Sequence, residues 1–77
     1  MRVIKKYSNR RLYDTNASGY INLEDLAVLV QAGEEVQVVD ARTAEDLTRS
    51  VLVQVILDAR GGVDLLPVGL LHRIIRY

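Results

Sequence analysis

The clearest hydrophobic periodicity in this 77-residue chain lies between Leu23 and Val30, where Leu23, Leu26, Ala27 and Val30 recur at i, i+3, i+4 and i+7. That spacing draws one apolar stripe along an α-helix. Asn22 precedes it as a cap, Asp25 supplies a short capping-box acid three residues on, Ile21 can staple against Leu26, and Gly33 stops the helix. Upstream the pattern is extended. Val3 and Ile4 favour a strand within residues 2–7, Ser8-Asn9 offers a turn, and a second extended run covers Arg10 to Thr15, so a basic hairpin is predicted. Asn16-Ala17-Ser18-Gly19 is turn-forming, and Tyr20-Ile21 is a brief strand.

Downstream, Val36 to Ala41 reads as a β-branched strand, and Arg42 to Glu45 as a polar turn returning through Asp46-Leu47 as a stub of hairpin. Residues 51–57, VLVQVIL, have strand-forming side chains, but the length from Arg49 to Ala59 and the stop at Gly61-Gly62 favour a helix starting near a Thr48 cap. Only Gln54 interrupts its apolar belt, and a helix apolar on most sides must be covered on most sides. One small protomer has too little material for that, so Val51, Leu52, Val55 and Ile56 are expected at an oligomer interface. A last helix begins near Pro67, with Leu71, Ile74 and Ile75 on one face and His72, Arg73 and Arg76 on the other. The elements predict a small α+β domain: an N-terminal basic β-hairpin, short additional strands and two to three helices, completed by oligomerisation.

Composition supports that completion. A chain this short buries only about 60% of the surface it exposes when unfolded. It has no cysteine for disulfides or thiolate-held metal, which leaves self-association to make up the shortfall. Hydrophobic residues make up 49% of the chain, yet no run approaches the roughly 20 needed to span a bilayer, and MRVIK does not open a secretory signal. A soluble, cytoplasmic protein with no membrane partner is expected.

The formal charges cancel to zero, but regionally they do not. Residues 1–13 hold five bases (Arg2, Lys5, Lys6, Arg10 and Arg11) and no acid, whereas residues 14–46 hold eight acids and one base. Tyr7, Asn9 and Tyr13 stand among the bases, so ammonium, guanidinium, amide and phenol groups share one segment. Nucleic-acid surfaces use that mixture for phosphate and base-edge contacts. The rival reading is a solvated edge strand whose lysines discourage aggregation. Against it, two basic pairs flanking a turn would charge both strands of a ribbon, and a two-stranded ribbon fits the major groove. A strand tyrosine is more often packing than a base contact, so Tyr7 and Tyr13 rank behind Lys5, Lys6, Arg10 and Arg11, as does the turn-forming Asn9.

A second motif competes. DTNASGYINLED places Asp14, Asn16, Ser18 and Asp25 at calcium-loop positions and resembles the loop-helix repeat of dockerin modules. Two carboxylates among the ligands, the short Asp25, five preceding cations and the lack of a second copy weigh against it. A turn followed by a capped helix uses the same residues for backbone reasons. No metal and no cofactor are expected. No nucleophile and base pair stands out and no glycine-rich phosphate loop is present, so an enzyme is not expected.

Three blocks, KKYSNRRLYDT, SGYINLEDL and VVDARTAEDLTR, occur in order. Together they resemble the N-terminal domain of the bacterial polyhydroxyalkanoate synthesis repressors, the PHB/PHA accumulation regulator family. The resemblance implies a DNA-binding domain over residues 1–60, followed over residues 61–77 by a linker and the truncated start of the family's second region, to which LLPVGLLHRIIRY is similar. It further implies double-stranded DNA as partner and repression of polymer-synthesis and granule-associated protein genes, relieved as polymer or its precursors accumulate. Polymer association would belong to the region beyond this chain. A homo-oligomer, dimer or tetramer, would carry two or more basic arms to DNA. The alternative is an interaction module whose apolar helices dock on a partner or a polymer granule.

Overall fold

The computed structural model describes residues 1–8, 10–58 and 66–76. Four strands, β1 (Arg2–Lys6), β2 (Leu12–Asp14), β3 (Gly19–Ile21) and β4 (Val36–Asp40), form one sheet in the order β3-β2-β1-β4. The first three make an antiparallel meander, and β4 returns parallel to β1. A parallel return needs a crossover, and α1 (Leu23–Gln31) supplies it. With α2 (Thr48–Asp58) and α3 (Val68–Arg76), the chain is the expected α+β domain.

Helix α1 starts and stops by local chemistry. The Asn22 side chain accepts from the Asp25 amide at 2.7 Å, while the Asp25 carboxylate accepts from the Asn22 amide at 3.0 Å. This closes the predicted capping box with Asp in place of Glu. At the other end the Gly33 amide bonds Val30 O and the Glu34 amide bonds Leu29 O, a pattern made possible by φ of 96° at Gly33. Leu26 is buried and Leu23 and Leu29 pack beside it, whereas Val30 is largely exposed.

Strand alternation sorts the sheet into two unlike faces. Ile4, Leu12 and Val38 point to one side and meet Leu26 and Val51 in a five-residue core, with Ile21, Val36, Leu47 and Val55 packed against it. The charged pair Arg2–Asp14 sits on the same side, joined at 2.9 Å. Both described helices of the core, α1 and α2, therefore cover this face. The other face carries the row Tyr20–Tyr13–Lys5–Val39, one residue from each strand in direct register.

The outer edge of β4 is closed by the segment that follows it. Leu47 N–H donates to Val38 O, the Val38 amide donates to Thr48 Oγ1 at 2.9 Å, and Asp46 bridges back to Val39. The expected stub of hairpin is thus present, and it occupies backbone groups that would otherwise template pairing with another chain. Thr48 differs from expectation. It is the first helical residue rather than the cap, because its hydroxyl is committed to β4; the Asp46 carboxylate accepts the Thr48 amide instead, and Leu47 O receives the Val51 amide.

Residues 51–57 are helical, and the helix is two-sided. Val51 is 1% exposed and so lies in the protomer interior, whereas Val55 packs against the core and stays partly exposed. Leu52 is half-buried, and Val53, Ile56 and Leu57 are exposed to 47%, 36% and 60%. The exposed apolar stripe of α2 therefore runs through Val53, Ile56 and Leu57 beside Leu52, because the core side takes Val51 and draws in Val55. In α3 the Leu71 amide bonds Pro67 O, which puts Pro67 just before the helix, and Ile74 and Ile75 are exposed. The predicted glycine stop at Gly61-Gly62 lies outside the described residues. Among the described residues no helix is long and apolar enough to cross a membrane.

Candidate nucleic-acid interface

The N-terminal cations divide by strand parity. Arg2 leaves the group first: its Nε lies 2.9 Å from Asp14 Oδ2, its Nη1 lies 3.6 Å from Glu34 Oε1, and only 19% of its side chain is exposed. It is a structural cation. Lys5 and Arg11 share the open sheet face with the tyrosines, while Lys6 and Arg10 lie toward the helices, lining a cleft with Leu23, Val51 and Gln54. Among the described residues Lys5, Lys6 and Arg10 form no ion pair. Their charge is available to an outside anion.

The turn between β1 and β2 is tight. Tyr7 N–H donates to Arg11 O at 2.9 Å, Arg10 N–H donates to Tyr7 O at 3.0 Å, and Arg10 has φ of 65°. A three-residue hairpin loop needs a left-handed residue at its last position, normally glycine. An arginine here accepts a strain of about 1 kcal/mol and carries a guanidinium at the tip. Asn9 lies outside the described residues.

Strand packing also decides how this hairpin can meet a duplex. Three inter-strand gaps of about 4.8 Å make the sheet about 14 Å wide before side chains are counted, whereas the major groove is about 12 Å wide. The body of the ribbon is enclosed between β3 and β4. Only the turn between β1 and β2, which carries Tyr7, Arg10 and Arg11, lies outside the paired strands, with Lys5 and Lys6 just before it on β1. The expected free ribbon is therefore reduced to its end.

On the open face three tyrosines form a chain. Tyr13 and Tyr20 pack edge to face with centroids 5.3 Å apart, Tyr7 lies 6.1 Å from Tyr20, and the Arg11 guanidinium sits 4.5 Å over the Tyr20 ring. Edge-to-face and cation–π contacts of this kind favour one arrangement of otherwise mobile side chains. Tyr7 and Tyr13 thus each pack against Tyr20 on this face. Sequence reasoning passed over Tyr20 because it stands outside the basic block; the available signal was its parity with Tyr13 across a predicted turn.

Acids bound the site on one side. Glu24, Asp25 and Asp58 line the cleft that Arg10 and Arg11 share with the start of α1. Tyr20 lines the same cleft, so charges of both signs meet there. Asp14 and Asp25, the carboxylates of the calcium-loop pattern, are otherwise engaged. Asp14 is buried against Arg2 and accepts the Asn16 amide at 3.0 Å, Ser18 takes the left-handed turn position, and Asp25 closes the α1 capping box. Turn and cap account for all four residues. Among the described residues no group of three or more His, Cys, Asp or Glu side chains is placed to hold a metal ion.

Residues 3–62 match the family described as the PHB/PHA accumulation regulator DNA-binding domain. An uncharacterized protein of Allochromatium vinosum is 47% identical over 77 residues, covering 99% of this chain and 50% of that protein. An uncharacterized protein in the phbA 5′ region of Thiocystis violacea is also 47% identical, covering 99% of this chain and 56% of that protein. The chain spans about half the length of the curated relatives it matches. No solved structure matches it. With a family match over most of the chain, on a domain whose hairpin turn is cationic, the chain belongs to the PHB/PHA accumulation regulator DNA-binding domain family.

Proposed function

We propose that this chain is the DNA-binding part of a transcriptional repressor of polyhydroxyalkanoate synthesis and granule-associated protein genes, acting in the cytoplasm. The observation that carries the mode of binding is the turn between β1 and β2: Arg10 and Arg11 stand in it, Lys5 and Lys6 precede it on β1, and among the described residues Lys5, Lys6 and Arg10 form no ion pair. The tip enters a groove of double-stranded DNA while the flanking lysines contact phosphates. The position of the Thiocystis violacea relative in a phbA 5′ region supports the link to polymer genes. Residues 1–60 act as the DNA-binding unit, and 61–77 lead into a second region that answers to polymer.

Binding proceeds as a homo-oligomer joined through the α2 stripe of Leu52, Val53, Ile56 and Leu57. A two-fold dimer carries two tips to two half-sites, which supplies the specificity that one tip lacks. Three or four phosphate contacts per protomer predict a dimer log-log salt slope between about −5 and −7. Gel-shift titration on DNA upstream of neighbouring polymer genes, at several salt concentrations, measures it. Arg10→Ala combined with Arg11→Ala should abolish binding and leave the melting curve in place; a salt-independent affinity would refute the reading.

A further inference from the structure

Resting on that reading, we infer that Gln54 joins Lys6 and Arg10 in a seat for one phosphate of the DNA backbone. Lys6 comes from the end of β1, Arg10 from the turn and Gln54 from the middle of α2, and all three line one cleft with Leu12, Leu23 and Val51. No acid lines that cleft among the described residues. Nor does any of the three side chains form a hydrogen bond or ion pair there. The nearby acids belong to other surroundings. Glu24, Asp25 and Asp58 border the separate cleft that Arg10 shares with the start of α1, and Asp25 is closed into the capping box. Asp40, on the other side of Lys6, is taken up by the Arg42 and Thr43 amides.

Two unpaired cations and an amide around an acid-free cleft fit an anion. The floor is apolar, since Leu12 and Val51 are 3% and 1% exposed, and charge-assisted hydrogen bonds over such a floor lose less to solvent than on an open surface. An ammonium from the strand, a guanidinium fork from the turn and an amide N–H from the helix can share the free oxygens of one phosphodiester. Gln54 is also the one polar residue within VLVQVIL. It stands three residues from the buried Val51 and borders the cleft with it, apart from the exposed stripe of Val53, Ile56 and Leu57. Amide side chains contact phosphates regularly in DNA complexes and supply register rather than sequence information. The seat therefore fixes how the turn sits on the duplex without reading a base.

The test uses the whole chain and a duplex it selects from a randomised pool. Each backbone phosphate in turn is replaced by an uncharged methylphosphonate, and affinities are measured for the unsubstituted chain and for Gln54→Ala, Gln54→Glu and Lys6→Ala. Gln54→Ala should lose roughly 3- to 10-fold in affinity on selected and scrambled duplexes alike, at unchanged salt slope, since an amide releases no counterion. At one phosphate per half-site the loss caused by methylphosphonate should shrink in both Gln54→Ala and Lys6→Ala, whereas at the other positions the separate losses should multiply.

Gln54→Glu should weaken binding more than Gln54→Ala does while its melting temperature holds or rises, because the new carboxylate pairs with Lys6 and Arg10 in the free protein. A purely structural glutamine would not split those two readouts. The inference is overturned if Gln54→Ala and Gln54→Glu bind as tightly as the unsubstituted chain, or if the losses multiply at every phosphate. A rise in melting temperature with inorganic phosphate that Gln54→Ala abolishes, without such coupling on DNA, also overturns it by giving the seat to free phosphate. Failure of the unsubstituted chain to bind any duplex overturns the underlying DNA-binding reading as well, whereas duplex binding indifferent to Gln54 overturns this inference alone.

Discussion

Single residues carry opposed duties in the N-terminal segment. Arg2 and Arg10 are alike in sequence, but one neutralises the buried Asp14 and the other holds a strained turn open to solvent. The two should respond oppositely to substitution. Arg10→Gly removes the left-handed penalty and, net of the added chain entropy, should stabilise the domain by up to about 0.5 kcal/mol while weakening DNA binding. Urea denaturation alongside gel shifts checks both signs. Asp14→Ala leaves the Arg2 guanidinium and the Asn16 amide without their acceptor and should cost about 2–3 kcal/mol, a large share of what so small a domain possesses. Five clustered bases were legible as a group; that Arg2 serves the interior was not, because only pairing β1 with β2 brings Asp14 against it.

Elements were legible where their determinants are local. The α1 cap and stop involve contacts three to five residues apart, and the hairpin, the 19–21 strand and the 36–40 strand follow from alternation and turn residues. The start of α2 is not local, since Thr48 bonds to Val38 ten residues away. Thr48→Val should cost about 1–2 kcal/mol by leaving the Val38 amide unpaired, and Thr48→Ser should retain most of it, as read from thermal melts. The same connection sets a pH response. The Asp40 carboxylate is held below its ordinary 3.8 by the Thr43 and Arg42 amides, and Asp46 by the Thr48 amide, the Thr48 hydroxyl and Gln37. A carboxylate depressed in the folded state contributes stability above its unfolded value, and that contribution disappears as pH falls through the folded one. The melting temperature should be flat above about pH 5 and fall below about pH 4, less steeply in the Asp40→Asn, Asp46→Asn double variant.

The whole molecule presents two unlike surfaces: a turn and tyrosine-lined face whose Arg10, Arg11 and Tyr20 share a cleft with Glu24, Asp25 and Asp58, and the apolar α2 stripe. On the proposed function, the turn binds DNA while the α2 stripe binds a second copy. Ile56→Glu with Leu57→Glu should yield monomers by sedimentation equilibrium and reduce the salt slope by about half, since each complex then engages one tip. A melting temperature that rises with protein concentration in the unsubstituted chain and not in this variant would show that assembly contributes to stability.

Periodicity, capping residues and the order of three sequence blocks were enough to establish the element types, the α+β class and the regulator family, because each depends on neighbours along the chain or on the blocks themselves. Long-range pairing decided the rest. It turned Arg2 inward, enclosed the ribbon so that only its tip is free, moved the exposed stripe of α2 away from Val51 and Val55, and set Tyr20 beneath Arg11. Each of these joins residues distant in sequence, and their meeting depends on strand order and register, which no local pattern specifies.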